Sequence, residues 1–296
     1  MMQDTSNILD GKSLSKKILF TLHEKILDYH SKQNIFPKIA IIIVGNDEAS
    51  DIYVSRKIKA AKSVNILTKL DAYSEDISTE SLISHIQDLN KNPTVSAILV
   101  QLPLPEHIDA LAVINAIEAS KDVDGLHPIN VGLLSNGSSQ GFIPCAARAC
   151  YEMIKYCQSD LTGKHTVIIN RSNIIGKPLA SLLLRDNCTV SICHSKTDNL
   201  SNITSTADIV VSAIGKAKFL TEEYFNNNAI IIDAGISRIS IGDKYKILGD
   251  VDFDTVKHKA KYITPVPNSV GPMTIAFLLV NVFIAMQINH VKDKVK

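Results

Sequence analysis

Short apolar runs rich in β-branched residues alternate with helical patterns along most of this chain, and that alternation leaves few folds available. Strands joined by crossover helices pair in parallel, and a parallel sheet needs helices on both of its faces. The strand runs are 38–44, 67–73, 97–101, 165–170, 189–193, 207–214 and 229–233. Helical patterns occupy 14–32, 48–65, 79–89, 107–119, 146–157, 176–185 and 270–286. A Gly- and Ser-bearing stretch, 136–144, interrupts the series before a second βα run begins. With 296 residues there is room for two domains, each with its own core. The expected class is α/β, as two α/β domains flanking a cleft.

Composition excludes several roles. Lys+Arg at 31 against Asp+Glu at 30 give no field to attract nucleic acid or a membrane surface, and neither is expected as a partner. Residues 1–11 lack the basic and apolar regions of a signal peptide, and no uninterrupted apolar run of bilayer-spanning length stands out. A cytoplasmic protein is expected. The cysteines Cys145, Cys150, Cys157, Cys188 and Cys193 are odd in number and lack a C-x-x-C pair, so free thiols are expected rather than disulfides or a zinc site. Cys188, Cys193 and His194 could be metal ligands, but alternation through 188–194 fits a strand and its exit better.

One lysine in the helical stretch 48–65 points the wrong way. At about 100° per residue, with Tyr53 as zero, Lys57 falls near 40°, inside an apolar arc formed by Val64, Ala61, Val54, Ile58 and Ala60. Arg56, Lys59 and Lys62 fall on the solvated side. A lysine held against apolar walls titrates low and can act as a base.

The second βα series opens with Val167-Ile168-Ile169-Asn170-Arg171-Ser172-Asn173-Ile174-Ile175-Gly176-Lys177-Pro178, a buried strand passing through a tight turn into a helix. This is the pattern of a dinucleotide-binding turn, with Asn170, Ser172 and Gly176 at the small-residue positions. Asparagine at 170 is expected to take the positive φ that the first glycine of such a turn supplies. Gly176 should let helix and strand pack closely, with phosphate near the helix N-terminus. The next strand exits at His194-Ser195-Lys196, without the carboxylate that marks an NAD ribose site. Arg171, Ser195 and Lys196 could instead gather a 2′-phosphate, so the expected cofactor is NADP, bound by a Rossmann-like second domain. The alternative, that Arg171 and Lys196 are solvated loop charges, is less favoured because both flank a turn of this type.

In the first domain the polar interruptions follow strands. Gln101 closes the continuous apolar run 97–100, which suggests a central parallel strand, and its amide should emerge at the carboxyl edge where open α/β sheets place ligands. Tyr53 and Lys57 share one helical face. Asp124 lies in Lys121-Asp122-Val123-Asp124-Gly125. Taken singly, Gln101 could cap a strand, Tyr53 could be core and Asp124 could satisfy a turn ending at Gly125.

Together these segments resemble the bifunctional methylenetetrahydrofolate dehydrogenase/methenyltetrahydrofolate cyclohydrolase family. The likeness spans nearly the whole chain, including Tyr53-Val54-Ser55-Arg56-Lys57, Val100-Gln101-Leu102-Pro103-Leu104-Pro105, Asn170-Arg171-Ser172, Gly249-Asp250-Val251 and Val270-Gly271-Pro272-Met273-Thr274. The resemblance implies a folate site with Tyr53 against the aminobenzoate ring, Asp124 on the pterin, Lys57 near the reacting carbon, Gln101 holding the lysine amine, and Gly271 and Pro272 lining the substrate. It implies that Asn170, Arg171, Ser172, Ser195 and Ile236 bind NADP. The implied activities are oxidation of 5,10-methylenetetrahydrofolate with NADP⁺ and hydrolysis of the methenyl product to 10-formyltetrahydrofolate, in a homodimer.

The resemblance also implies that the C-terminal helix returns to the first domain, so the expected division is 1–143 with 270–296 for folate and 144–269 for NADP. Three features depart from the family pattern. Pro144-Cys145-Ala146-Ala147 lacks a hydroxyl and a proline, Ala149 stands for a glycine, and Asn268-Ser269 replace a glycine pair before Val270. These leave room for a monofunctional member. A different NADP-dependent oxidoreductase or a non-catalytic NADP-binding protein would leave Lys57, Gln101 and Asp124 without a common explanation.

Overall fold

The structure, a computed structural model, describes residues 7–45, 48–241 and 244–295. The first six residues of the stretch read for a leader lie outside the described residues. In chain order the first elements are α1 (Gly11–Gln33), β1 (Lys38–Val44), α2 (Glu48–Ser63), β2 (Leu67–Tyr73), α3 (Thr79–Lys91), β3 (Ala97–Val100), α4 (Ala110–Ala116) and α5 (Pro128–Ser135). Then come α6 (Cys145–Cys157), β4 (His165–Ile169), α7 (Gly176–Arg185), β5 (Thr189–Cys193), α8 (Leu200–Thr204), β6 (Ile209–Ser212) and β7 (Ile230–Asp233). The last are β8 (Ser237–Ile241), β9 (Lys244–Leu248), α9 (Phe253–Val256), β10 (Tyr262–Ile263) and α10 (Val270–Val295).

Two compact units result, one of Met1–Ser15 with Ala146–Thr274 and one of Lys16–Cys145 with Ile275–Lys296. The N-terminal segment, expected with the folate domain, therefore groups with the other unit. Backbone pairing is the cause: Leu9 N–H donates to Ile263 O at 2.8 Å, and Ile263 N–H donates to Asn7 O at 2.9 Å, which adds the segment beside β10. The divisions fall inside α1, at the start of α6 and inside α10 rather than in loops.

In the unit of Lys16–Cys145 and Ile275–Lys296, a parallel sheet has the order β2-β1-β3. The apolar run of β1 supplies two cores by alternation. Ile39, Ile41 and Ile43 pack with Leu22 and Ile26 of α1, Val54 and Ala61 of α2, Val64 just beyond it, and Leu278, Val282 and Phe283 of α10. Ala40, Ile42 and Val44 pack with Leu82, Ile86 and Leu89 of α3 and Val113 of α4. The centre of the sheet is thus β1, not β3 as its hydrophobicity suggested. At the margin, β3 is still fully buried because the chain passes back along it, with Ile98 N–H donating to Lys121 O at 2.9 Å.

The other unit carries a parallel sheet of order β10-β7-β6-β4-β5 and a separate β8–β9 antiparallel hairpin. From β4 the chain steps to β5 on one side, then crosses to β6 on the other. That reversal makes the Rossmann-like switch point at the carboxyl ends of β4 and β6.

The segment Val270–Val291 of α10 is long and apolar enough to cross a membrane by length and composition, where the sequence reading found no uninterrupted apolar run of that length. More than half of it, 56%, is buried inside the protein, and Leu278, Leu279, Val282, Ala285 and Met286 belong to the core. It is a core helix.

Close packing of α7 on β4 yields a test. A Cβ at Gly176 would stand 2.0 Å from the carbonyl oxygen of Asn170, backbone that cannot move aside cheaply. Gly176→Ala should lower unfolding stability by roughly 2 kcal/mol, read as a denaturant midpoint; an unchanged midpoint would contradict this packing.

Candidate active site

The α2 helix turns Lys57 toward the carboxyl edge of the three-stranded sheet. Val54, Ala61 and Val64 are buried while Arg56, Lys59 and Lys62 are exposed, so the amphipathic reading of the helix holds and leaves Lys57 partly buried on the apolar side. Its Nζ donates to Gln101 Oε1 at 2.9 Å. Gln101 is fixed at both ends: its backbone N–H donates to Ile42 O of β1 at 2.9 Å, and its Nε2 donates to Leu102 O at 2.6 Å. With the amide nitrogen so engaged, the oxygen faces the lysine. Gln101 thus stands where β3 and β1 end side by side, the point at which this sheet reverses its strand order.

Asp124 joins them through an ordered turn in which each polar residue does a different job. Lys121 is buried and donates to the carbonyls of Leu89, Asn90 and Asn92 at 3.1, 2.7 and 2.9 Å, satisfying the C-terminal end of α3. Asp122 holds the loop, accepting His127 N–H at 2.8 Å and Asn130 Nδ2 at 2.9 Å. Gly125 closes it at φ +72°, where a Cβ would press on Pro144 N at 2.7 Å. The turn-satisfying role considered for Asp124 therefore belongs to Asp122. From α10, buried Asn281 donates to Val123 O at 2.9 Å and to Ile143 O at 3.3 Å, fixing the backbone just before Asp124.

Burial and charge oppose each other across this group. Desolvation pulls the Lys57 ammonium below the ordinary lysine range, and the nearby Asp124 carboxylate acts against that fall. Burial pushes Asp124 above the usual carboxylate range with Asp122 adding to the rise, while Lys57 and a hydrogen bond from the Cys145 thiol oppose it. Half-buried Tyr53 lies one helical turn before Lys57, its phenol pushed up by burial. Gly271 and Pro272 fall in the first turn of α10, in the part of that helix that groups with the unit of Ala146–Thr274.

At the second switch point, Asn170 builds the turn with its side chain. Its Oδ1 accepts the N–H of Ser172 at 2.8 Å, the hydroxyl of Ser172 at 2.7 Å and the N–H of Gly176 at 3.0 Å, and its Nδ2 donates to Ala213 O at 2.7 Å. The expected positive φ is absent: Asn170 is not among the positive-φ residues, because the amide, not an unusual backbone, makes the turn. Arg171 and Ser195 are both exposed, and each lies two residues beyond the end of its strand, where Ile169 of β4 pairs with Cys193 of β5. They occupy equivalent positions at one edge. Ile236 is 47% exposed and sits between β7 and β8.

The departures from the family pattern are accommodated locally. Asn268 adopts φ +85°, the conformation for which glycine is otherwise used. Ser269 is buried, with its hydroxyl donating to Leu9 O at 3.1 Å. Ala147 and Ala149 are buried in α6.

Residues 9–124 match the family model described as tetrahydrofolate dehydrogenase/cyclohydrolase, catalytic domain, and residues 144–290 match the NAD(P)-binding domain of the same family. The chain belongs to the tetrahydrofolate dehydrogenase/cyclohydrolase family. It is 56% identical over 276 residues to the bifunctional protein FolD of Rickettsia rickettsii (strain Sheila Smith), covering 93% of this chain and 95% of that relative. Among solved structures of the family, the bifunctional FolD of Campylobacter jejuni matches with a TM-score of 0.91 at 43% identity, over 95% of this chain and 98% of that one. The FolD of Trypanosoma brucei, complexed with NADP cofactor and inhibitor, matches with a TM-score of 0.92 at 33% identity, over 95% and 97% respectively.

Sequence reasoning did not single out Asn281, Asp122 or Asp233. All three are buried polar residues: Asn281 bonds carbonyls more than a hundred residues away, Asp233 accepts the N–H groups of Asp250 and Val251 across the sheet edge, and Asp122 holds its own loop through His127 N–H and Asn130 Nδ2. Burial and the neighbouring Asp250 push the carboxyl of Asp233 up to about 7.

The opposition between Lys57 and Asp124 has a direct readout. In Asp124→Asn, which removes the charge that favours the ammonium, Lys57 should titrate at lower pH than in the parent protein. Nitrogen-detected NMR of the lysine side chain measures this, and an unchanged or higher value would show that the two groups do not interact. Because the folded-state pKa of Lys57 lies below its unfolded value, the unfolded chain binds more protons between the two. The lysine's penalty on stability therefore fades as pH rises through the folded value and is gone above the unfolded one.

Proposed function

We propose that this chain oxidises 5,10-methylenetetrahydrofolate with NADP⁺ and hydrolyses the resulting 5,10-methenyltetrahydrofolate to 10-formyltetrahydrofolate, with Lys57, Gln101 and Asp124 as the catalytic group. The observation that carries the assignment of residues is the Lys57–Gln101 hydrogen bond at the switch point of the unit that contains the catalytic-domain match. Folate derivatives are the substrates. Asp124 is suited to accept paired hydrogen bonds from the amino group and ring nitrogen of a pterin, and Tyr53 offers an aromatic face to the aminobenzoate ring. Gly271 and Pro272 would line the same substrate.

The residues at the second sheet edge fit NADP by their chemistry. A guanidinium and a hydroxyl, Arg171 and Ser195, project from equivalent positions beyond paired strands, and no carboxylate stands at the exit 194–196 to repel a 2′-phosphate. Asn170 and Ser172 shape the turn beneath the phosphates, and Ile236 offers an apolar contact. When bound, NADP⁺ supplies the hydride acceptor. For the dehydrogenase step the protein mainly has to orient the two reactants.

Cyclohydrolase chemistry requires proton transfer. Water adds to the cationic methenyl carbon and gives up a proton; a second proton leaves the hydroxyl as the bond to N5 breaks and N5 is protonated, for a net release of one proton. Lys57 is the base, since its depressed pKa leaves more neutral amine near physiological pH and the cationic substrate lowers it further. Gln101 holds that amine by accepting one N–H, leaving the lone pair free to point elsewhere. The protein acts in the cytoplasm as a homodimer, without nucleic acid or membrane as partner.

Purified protein incubated with 5,10-methylenetetrahydrofolate and NADP⁺ should form NADPH and 10-formyltetrahydrofolate, and NAD⁺ should substitute poorly. Methenyl product that accumulates and decays only at the uncatalysed rate would leave a monofunctional dehydrogenase. Lys57→Met should fold but lose cyclohydrolase activity by about 10²-fold or more. Lys57→Arg should fail as well, because guanidinium does not deprotonate. Wild-type hydrolysis by either variant would remove Lys57 from the mechanism.

A further inference from the structure

Four hydrogen bonds converge on the buried carboxylate of Asp250. One oxygen accepts the Ser212 hydroxyl at 2.7 Å and Ile214 N–H at 2.6 Å, and the other accepts the N–H groups of Gly215 and Lys216, each at 2.9 Å. These residues form the turn leaving β6, across the switch point from β5. Asp250 is itself held from β7. Asp233 Oδ1 accepts Gly235 N–H at 2.9 Å and Asp250 N–H at 3.1 Å, and its Oδ2 accepts Val251 N–H at 2.9 Å.

Glycines make this closeness possible. A Cβ on residue 235 would lie 2.1 Å from Asp250 Cγ, and one on residue 249 would lie 2.0 Å from Asp233 Oδ2. Both carboxylates are therefore built into the sheet edge rather than projecting from it. A buried carboxylate saturated by backbone N–H groups fixes the position of every residue that donates to it.

In a fold of this kind the adenosine ribose lies over the strand that follows the phosphate turn, here β5, and the dinucleotide runs across the switch point. The nicotinamide half then lies over β6 and β7, where Asp250 organises the turn and Ile236 follows Gly235. Resting on the NADP reading above, we propose that Asp250 is a positioning residue for the nicotinamide half of the cofactor, holding Ile214, Gly215 and Lys216 in the shape which that half binds, with Asp233 as its support. An amide cannot replace it. Whichever way the side chain were turned in Asp250→Asn, its NH₂ would face either Ile214 N–H or the N–H groups of Gly215 and Lys216, donor against donor.

The test compares NADP⁺ with adenosine 2′,5′-bisphosphate, which carries the adenosine and the 2′-phosphate but no nicotinamide. In Asp250→Asn, calorimetry should find the bisphosphate bound within about twofold of the parent affinity and NADP⁺ bound about tenfold more weakly. The KM for NADP⁺ should rise in step, and the ratio of dehydrogenase to cyclohydrolase turnover should fall. Gly215→Ala provides a second variant should the first fail to fold: φ at Gly215 is +77° with open space around a Cβ, so it strains the turn without a clash. It should show the same selectivity. Equal weakening of both probes, or full NADP⁺ affinity in either folded variant, would overturn the proposal. A parent protein that binds neither probe would remove the NADP reading, and this proposal with it.

Discussion

A parallel sheet whose chain leaves its first strand toward one side and returns on the other cannot cover its carboxyl edge with connecting loops. The loops diverge at the reversal and leave backbone groups that something else must satisfy. Both parallel sheets among the described residues are built that way, with β1 between β2 and β3 and β4 between β5 and β6. At each reversal stands a residue with an amide side chain. Gln101, after β3, is fixed to Ile42 of β1 through its backbone and holds Lys57 with its side chain. Asn170, after β4, reaches Ala213 beyond β6 and organises the turn with its other amide atom. An amide suits this position because it donates and accepts at once, so one residue can satisfy a strand-end carbonyl and orient a functional partner.

The consequence for chemistry is that Lys57 is held where water is scarce but a carboxylate is near. Burial alone would neutralise the amine, and a close ion pair alone would keep it charged. Here Asp124 opposes the desolvation of Lys57, while Asp122 and burial limit how fully Asp124 can ionise. Each group is kept off its ordinary pKa by the other's incomplete compensation. A base that must exchange protons near neutrality is helped by that balance, and a substrate cation entering the site would tip it toward the neutral amine.

How much of this could be read from the sequence followed from how local the cause was. The amphipathic helix that turns Lys57 inward is a local pattern, and β1, β2, β5 and α7 begin and end where the apolar runs do. The rank of strands within a sheet is not local. Continuous hydrophobicity made β3 look central, yet its outer side is buried by 121–122 returning alongside it. The hairpin β8–β9 and helix α5 were not anticipated, since the alternation in 237–248 is short and carries several charges and α5 spans only Pro128–Ser135. For the same reason Asn281 gave no sign of its part in the site. It reads as a polar break in an apolar helix, and its importance lies in two carbonyls more than a hundred residues away.

Three aspartates show why residue type alone does not identify a chemical group. Asp122 and Asp250 are buried, and their oxygens are engaged by backbone N–H groups and neutral side chains that hold loops in place. Asp124 is different in its surroundings rather than in its nature, because a lysine and a thiol act on its charge. A carboxylate encircled by backbone donors stabilises one arrangement of the chain and loses that role if a substrate competes for its lone pairs. A carboxylate balanced against a titratable cation can change partner or protonation as a ligand arrives. Within Lys121-Asp122-Val123-Asp124-Gly125 the two kinds stand two residues apart, the first fixing the turn so that the second can be used.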